Sequence, residues 1–204
     1  SLDTSLMGKN RNQILLELLD ICREEGVVWT DTLPVSKEVP WTFDLSGASE
    51  RTVSNLRAFS EAYNLEHLVP SDSEIQASAS TGALLPAEEW LYGVREAFDI
   101  DAALSGQEAR DLIGVLYELT LRAREITYNA YAFAEDVNMT FIVKVKEAGL
   151  AGVSIVTTSV REYNTTCAAH LLGRVGPIYP EEVEEYTAKG YALNAYVGKD
   201  GVEA

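Results

Sequence analysis

The sequence predicts an α+β fold that combines several helices with short strands. Several segments space their apolar residues three and four apart, which is the pattern of a helix with one buried face. Two later segments, residues 129–135 and 152–163, alternate between the two faces of an extended chain and are rich in aromatic or β-branched side chains, as strands are. Because a helix is predicted between them, we expect a strand–helix–strand unit.

The first predicted helix covers residues 11–25. Its apolar stripe includes Leu18 and Cys22, and Gly26 provides the stop at its C-terminus. Cys22 is therefore expected in the core. Residues 27–47 contain prolines, tryptophans and threonines, which favours short extended pieces over a helix.

The second predicted helix covers residues 50–63 and begins after Ser49, which has a side chain suited to the N-cap. Residues 71–86 consist mainly of small and polar side chains, so we expect a flexible loop there. The next helix is predicted to begin after Pro86, because proline suits the first turn and acidic residues follow it directly.

Two further helices are indicated by their capping residues. Ser105 and Glu108 have the spacing of a capping box, which predicts the start of a long helix. Asn138 or Asp136 is the predicted N-cap of a helix that ends near Gly149. The capping role explains Asn138 without glycosylation. Shorter helices are predicted nearer the C-terminus, over residues 165–173 and 180–189.

The predicted organisation has four parts. They are an N-terminal arm at residues 1–9, a helical and extended part at 10–70, the flexible loop at 71–86, and a part with helices and the strand–helix–strand unit at 87–204. Within the N-terminal arm, we interpret the first two residues as a remnant of expression.

Composition and charge exclude some classes of function. The 204 residues include 16 Lys and Arg against 32 Asp and Glu, which gives a net charge of -16. Such a charge repels the phosphate backbone, so nucleic acid is excluded as a partner. No stretch approaches the ~20 apolar residues that a membrane span needs. We therefore expect contact with a membrane only through an anchor outside this sequence.

The familiar catalytic signatures are missing from the sequence. No lysine has a serine three residues before it, and neither Lys-Thr-Gly nor a phosphate-binding glycine loop occurs. No cofactor or metal is predicted. Cys167 and His170 lie three apart on a predicted helix and could form a thiolate–imidazole pair. The apolar surroundings favour a structural histidine, and a small thiol enzyme is kept as an alternative.

The last third of the chain contains a series of short motifs. A Gly-Val pair begins the second predicted strand, then come Arg-x-Tyr, Ala-Ala-His-x-x-Gly and finally Gly-x-x-Gly-x-Glu. This series resembles the N-terminal, non-catalytic pedestal of class B penicillin-binding proteins, often called the dimerisation domain. The motif residues are Gly152, Val153, Arg161, Tyr163, His170, Gly173, Gly198, Gly201 and Glu203.

The N-terminal half is similar to the same family more loosely. Asp31 and Pro34 match an Asp-x-x-Pro stretch of Gram-positive pedestals, whereas residues 164–166 replace the Pro-x-Gly turn that usually follows Arg-x-Tyr. The opening Arg-Gly motif of the family is missing. We therefore expect a fragment that lacks both a membrane anchor and the transpeptidase domain.

The resemblance implies a function in cell-wall synthesis without catalysis by this fragment. The parent would be a membrane-anchored peptidoglycan D,D-transpeptidase on the extracytoplasmic face of a bacterial membrane, with a role in maintaining cell shape. The pedestal would position the transpeptidase domain of the same chain and bind a SEDS-family glycosyltransferase and other cell-wall synthesis proteins. The family name also points to a homodimer. A freestanding acidic interaction module at the cell surface is the main alternative.

The motif residues have structural roles in this interpretation. Arg161 and Glu203 have opposite charge and are expected to join two segments through charge-assisted hydrogen bonds. Gly198 and Gly201 would allow a positive φ or a close backbone approach near the linker to the transpeptidase domain. His170 would orient a neighbouring segment rather than transfer protons.

Overall fold

The computed structural model describes residues 1–124, 131–157, 175–177 and 196–198, together with Tyr186 and Lys189. The chain divides into two compact units, Ser1–Val156 and Thr157–Ala204. Within the described residues, no helix has the length and apolar character needed to cross a membrane.

The described part of the first unit is built from α-helices and three short 3₁₀ turns. The turns are Thr4–Leu6, Gly8–Asn10 and Glu66–Leu68. The α-helices are α1 (Arg11–Glu25), α2 (Glu50–Ala62), α3 (Asp72–Thr81), α4 (Glu88–Ala97), α5 (Gly106–Arg124) and α6 (Met139–Ala148).

The predicted helices other than the two nearest the C-terminus are confirmed, and their ends have the expected caps. Gly26 ends α1 in the left-handed conformation, with a φ of 65°. The Ser49 hydroxyl accepts a hydrogen bond from the Thr52 amide at the start of α2. Asn138 caps α6 through its side-chain oxygen, which accepts from the Phe141 amide at 2.8 Å.

The prediction of a loop over residues 71–86 is wrong, because this segment contains α3. The helix begins with a complete capping box in which Ser71 and Glu74 bond to each other's backbone, and Gly82 ends it with a φ of 73°. The small side chains that suggested a loop are compatible with a helix once both ends are capped. Only Ser78 of this helix is buried, so apolar periodicity gave no signal.

The α+β prediction is also wrong, since the fold of the described residues is mainly helical. Residues 131–135 and 152–157 contain single-residue bridges in place of strands. These isolated bridges do not extend into a continuous ladder. Tyr131 and Val153 both pair with Leu2, and the Phe133 carbonyl accepts from the Thr30 amide. Residues 129–130 and 158–163 lie outside the described residues.

The second unit contains one described pair of short strands. Strand β1 (Val175–Pro177) runs antiparallel to β2 (Tyr196–Gly198), and Val175 pairs with Gly198. Val197 is buried. The helices predicted at 165–173 and 180–189 fall outside the described residues, apart from two single positions.

The N-terminal residues belong to the fold of the first unit. Leu2 is buried, and its amide donates to the Tyr131 carbonyl at 3.1 Å. The amide of Asp3 donates to the Gly152 carbonyl at 2.8 Å, and the amide of Ser154 donates to the Ser1 carbonyl at 2.9 Å. The N-terminal segment thus lies between the two segments that flank α6 and joins them.

Replacing Gly152 with alanine is expected to displace this N-terminal segment. Gly152 has a φ of 76°, and a Cβ atom there would lie 2.3 Å from the Asp3 carbonyl oxygen. We expect a loss of about 2–4 kcal/mol of unfolding free energy, because backbone strain and a clash act together. Urea denaturation measures the loss, and amide exchange at Asp3 should accelerate.

Gly149→Ala provides the matched control for this substitution. Gly149 also has a positive φ, of 60°, but no atom lies within 4 Å of an added Cβ. The Gly149→Ala variant should therefore lose only about 1–2 kcal/mol of unfolding free energy, the cost of the left-handed conformation for a residue with a side chain. Equal losses in the two variants would contradict the proposed close approach.

Helix α5 lies at the centre of the first unit and packs against α1, α2 and α4. Every residue from Ala109 to Glu118 is buried, so neighbouring chain surrounds this stretch of the helix. An aromatic cluster fills the space between α5, α2 and α4. Phe59 lies within 5.0–6.0 Å, centroid to centroid, of four other rings, those of Tyr63, Trp90, Phe98 and Tyr117.

The capping box at the start of α5 makes the stability of this helix sensitive to pH. The Ser105 hydroxyl and amide both donate to Glu108, at 2.6 and 2.9 Å, and these bonds lower the pKa of that carboxyl. The ionised form therefore stabilises the helix above the ordinary pKa, and this contribution disappears as the pH falls through the lowered pKa. Ser105→Ala should raise the pKa of Glu108 in an NMR titration. Ser54→Ala, an exposed change within α2, should leave that titration unchanged.

Candidate functional site

Of the motif residues predicted from the sequence, Gly152, Val153 and Gly198 fall within the described residues. Gly198 lies in β2, opposite Val175. The expected contact between Arg161 and Glu203 stays a prediction. Outside the described residues lie Arg161, Tyr163, Cys167, His170, Gly173, Gly201 and Glu203.

The described cysteine is a core residue. Cys22 is fully buried, and burial raises the pKa of its thiol to about 12 despite the positive charge of Arg23. The thiol therefore stays protonated near neutral pH, in agreement with the core position expected from the sequence. In the part of the chain that the structure describes, no three potential metal ligands come together.

A buried ion pair connects α5 to the extended chain after α1. Arg110 donates from Nη1 to the Asp31 carboxylate at 2.7 Å, and both side chains are only 1% exposed. The guanidinium also donates to three backbone carbonyls: from Nε to Ser36 at 3.0 Å, and from Nη2 to Val35 at 2.6 Å and Leu33 at 3.3 Å. Asp31 in turn accepts from the Leu33 amide at 3.1 Å.

These bonds explain how a charged pair is tolerated in the core. A buried ion is costly unless its partner and remaining donors are satisfied, and here the bonds of Arg110 meet that condition. We call Asp31, Arg110 and the segment Leu33–Ser36 the arginine clamp. It holds an extended stretch, which has few internal backbone bonds, against the central helix.

Close packing beside the clamp requires a glycine. A Cβ atom on Gly114 would lie 2.8 Å from Nη1 of Arg110 and 2.9 Å from Oδ1 of Asp31. The absence of a side chain at this position lets the ion pair lie against the backbone of α5.

Two acidic residues of α5 also bond to neighbouring elements. Asp111, 8% exposed, accepts from Arg23 of α1 at 2.8 Å. Glu118 is buried and accepts from both the amide and the hydroxyl of Thr32, the amide at 3.1 Å. Charged side chains at three positions of α5 thus bond to the neighbouring chain. Burial raises the pKa of Tyr117, and the neighbouring Glu118 charge raises it further.

An open cavity of about 460 Å³ adjoins Glu118 and Thr32. We call it the arginine cavity, because three arginines line it. Arg51 comes from the first turn of α2, and Arg122 and Arg124 come from the end of α5. Polar side chains from the start of α2 complete one wall. They belong to Ser49, Thr52 and Asn55.

Sequence reasoning identified one half of the clamp and missed the other. Asp31 was found as a motif residue, whereas Arg110 was not. The available signal was the run Leu112–Leu116, which has no polar side chain and indicates a helix surrounded by protein, so a charged residue next to it needs a partner. The sequence could not indicate which acid would lie beside it.

Comparison with known proteins identifies the family. Residues 12–204 match the family described as the penicillin-binding protein dimerisation domain. No curated protein matches the sequence. The match agrees with the resemblance found from the C-terminal motifs and covers nearly the whole chain. The chain therefore belongs to the penicillin-binding protein dimerisation domain family.

Proposed function

We propose that this chain is the pedestal of a class B penicillin-binding protein that positions a transpeptidase domain of the same parent chain. The observation that carries the proposal is the family match over residues 12–204.

The parent protein, on this proposal, is a peptidoglycan D,D-transpeptidase anchored to the bacterial membrane. The pedestal lies on the extracytoplasmic side and binds a SEDS-family glycosyltransferase and other proteins of cell-wall synthesis. Through these contacts it contributes to cell shape. Self-association into a homodimer is part of the proposal, and sedimentation of the chain at several concentrations tests it.

The pedestal role can be separated from catalysis in the full-length parent. Arg110→Met breaks the arginine clamp inside this domain without altering the transpeptidase domain. Labelling by a fluorescent penicillin should continue at its normal rate, whereas cross-linking of peptidoglycan in cells should fall. Arg57→Met removes an exposed ion pair with Asp72 at 2.6 Å and should preserve both activities.

Two results would contradict this proposal. Normal cross-linking in cells with the Arg110 variant would show that the domain does not position the enzyme. A loss of penicillin labelling equal to the loss of cross-linking would show that the domain takes part in the chemistry itself.

A further inference from the structure

The outward face of α4 carries an aromatic ring between two carboxylates. Glu88, Tyr92 and Glu96 are spaced four residues apart, so their side chains follow one another along one face of the helix. All three residues are exposed, Tyr92 to 64%. Tyrosine is enriched at protein interfaces, because its ring gives a large contact area while its hydroxyl can stay hydrated. This face of α4 therefore presents an aromatic contact bordered by negative charge.

Two open cavities border this row, and Tyr92 and Arg95 line both of them. Their volumes are about 140 Å³ and about 530 Å³. The smaller cavity has a mainly apolar lining, whereas the larger one combines apolar side chains with carboxylates. We call the two cavities together the Tyr92 groove. All of its lining residues belong to the described part of the first unit.

The smaller cavity lies beside Trp41, which is fixed by two neighbouring elements. The Trp41 carbonyl accepts from the Ala87 amide, just before α4, at 2.9 Å. The indole ring packs against the start of α5, since a Cβ atom on Gly106 would lie 3.4 Å from Cζ2 of the ring. A cavity of about 150 Å³ holds a group the size of benzene. The volume of about 140 Å³ therefore suits one side chain rather than a whole small molecule.

Three carboxylates give the groove negative charge. Glu88 lines the smaller cavity, and Glu96 and Asp99 line the larger one. Among the ion pairs of the described residues, none involves these three side chains. All three residues are exposed, so a ligand in the groove can reach them.

The two arginines of the lining are bonded to other parts of the first unit. Arg110 is paired with Asp31. Arg95 donates from Nη2 to the carbonyls of Asp101 at 2.7 Å and Leu104 at 3.3 Å, which holds its guanidinium against the chain between α4 and α5. The three carboxylates therefore outnumber the one cation of the lining that has no carboxylate partner.

The charge of the chain decides which occupant fits the groove. A second copy would bring a net charge of -16 to a surface of the same sign, and the two would repel each other. A positively charged segment is attracted instead, both by the carboxylates and by the ring of Tyr92, because the face of an aromatic ring attracts cations. The apolar lining of the smaller cavity requires an apolar side chain in the same segment.

We propose that the Tyr92 groove binds a short segment of a partner protein in which lysine or arginine alternates with apolar residues. An apolar side chain of the segment occupies the smaller cavity beside Trp41, and its cations lie against Glu88, Glu96 and Asp99. The inference rests on the partner binding in the proposed function and adds a surface and a chemistry to it. Its failure would leave the positioning of the transpeptidase domain untouched, since that role is measured by cross-linking in the parent.

Fluorescence anisotropy of the 204-residue chain tests the groove. The probe is a short fluorescein-labelled peptide built from Lys-Leu-Lys-Gly repeats, and the reference peptides have Lys-Ser-Lys-Gly or Glu-Leu-Glu-Gly repeats. We expect saturable binding of the first peptide, weaker binding of the second and none of the third. The double variant Glu88→Gln with Glu96→Gln should weaken binding of the first at least about fivefold, because it removes two charge pairs. Tyr92→Ala, which removes the wall shared by the two cavities, should weaken it as well.

The matched control is the double variant Glu17→Gln with Glu89→Gln. It removes the same amount of exposed negative charge, one residue from α1 and one from α4, and both residues lie outside the lining of the groove. This control should bind the peptide as the unaltered chain does. If the groove double variant fails to fold by circular dichroism, Tyr92→Ala takes its place.

Four results would overturn the proposal. The first is no binding of the Lys-Leu-Lys-Gly peptide, and the second is equal binding of the Glu-Leu-Glu-Gly peptide. The third is an equal loss of affinity in the groove variants and the control, which would show attraction to the net charge alone. The fourth is a loss of self-association in Tyr92→Ala, measured by sedimentation, in a chain that does not bind the peptide, since the surface would then belong to a second copy.

Discussion

Arg110→Met is expected to lower the free energy of unfolding by about 3–5 kcal/mol, the cost of removing one partner from a buried ion pair. The substitution leaves the Asp31 carboxylate 1% exposed and without its cation. It also leaves the carbonyls of Leu33, Val35 and Ser36 without the guanidinium donor. Urea denaturation followed by circular dichroism measures the loss.

A second substitution separates the charge from the hydrogen bonds. Combining Arg110→Met with Asp31→Leu removes both charges and should recover part of the stability, because no unpaired ion remains in the core. Recovery should be incomplete, since the three carbonyls still lack a donor. Arg57→Met, which breaks an exposed pair, should cost about 1 kcal/mol or less. If Arg110→Met lowers the free energy of unfolding by no more than Arg57→Met does, the clamp is not important for stability.

Phe59→Ala is expected to cost a similar amount, about 3–5 kcal/mol, because it leaves a cavity in the centre of the aromatic cluster. Phe59 is completely buried, and its ring centroid lies 5.0 Å from that of Tyr117 and 5.9 Å from that of Trp90. The indole of Trp90 is held by a 2.9 Å hydrogen bond to Ser60, so the cluster cannot collapse freely into the space.

The measurement again is urea denaturation, with near-ultraviolet circular dichroism as a report on the packing of the rings. Tyr92→Ala is the control, because Tyr92 is an aromatic residue of α4 with 64% exposure. It should change the stability by no more than about 0.5 kcal/mol. A loss below about 1 kcal/mol for Phe59→Ala would show that the cluster contributes little.

The helices predicted from periodicity and capping agree with the structure closely. Local signals were sufficient in α1 and α6, where Gly26 and Asn138 fix the ends. They failed for α3, which has a capping box at its start but little apolar surface to bury. The strands were misjudged because alternation describes side chains, whereas a strand also requires a neighbouring backbone in register.

The positions of most helices, the buried state of Cys22 and, through the C-terminal motifs, membership of the penicillin-binding protein dimerisation domain family were all predictable from the sequence. These features depend on neighbouring residues or on motif spacing. Which distant charges meet became known only from the folded chain. Asp31 and Arg110 are 79 residues apart in the chain, and the arginine cavity takes its charge from two separate helices. Such contacts depend on how helices pack, which no local pattern encodes.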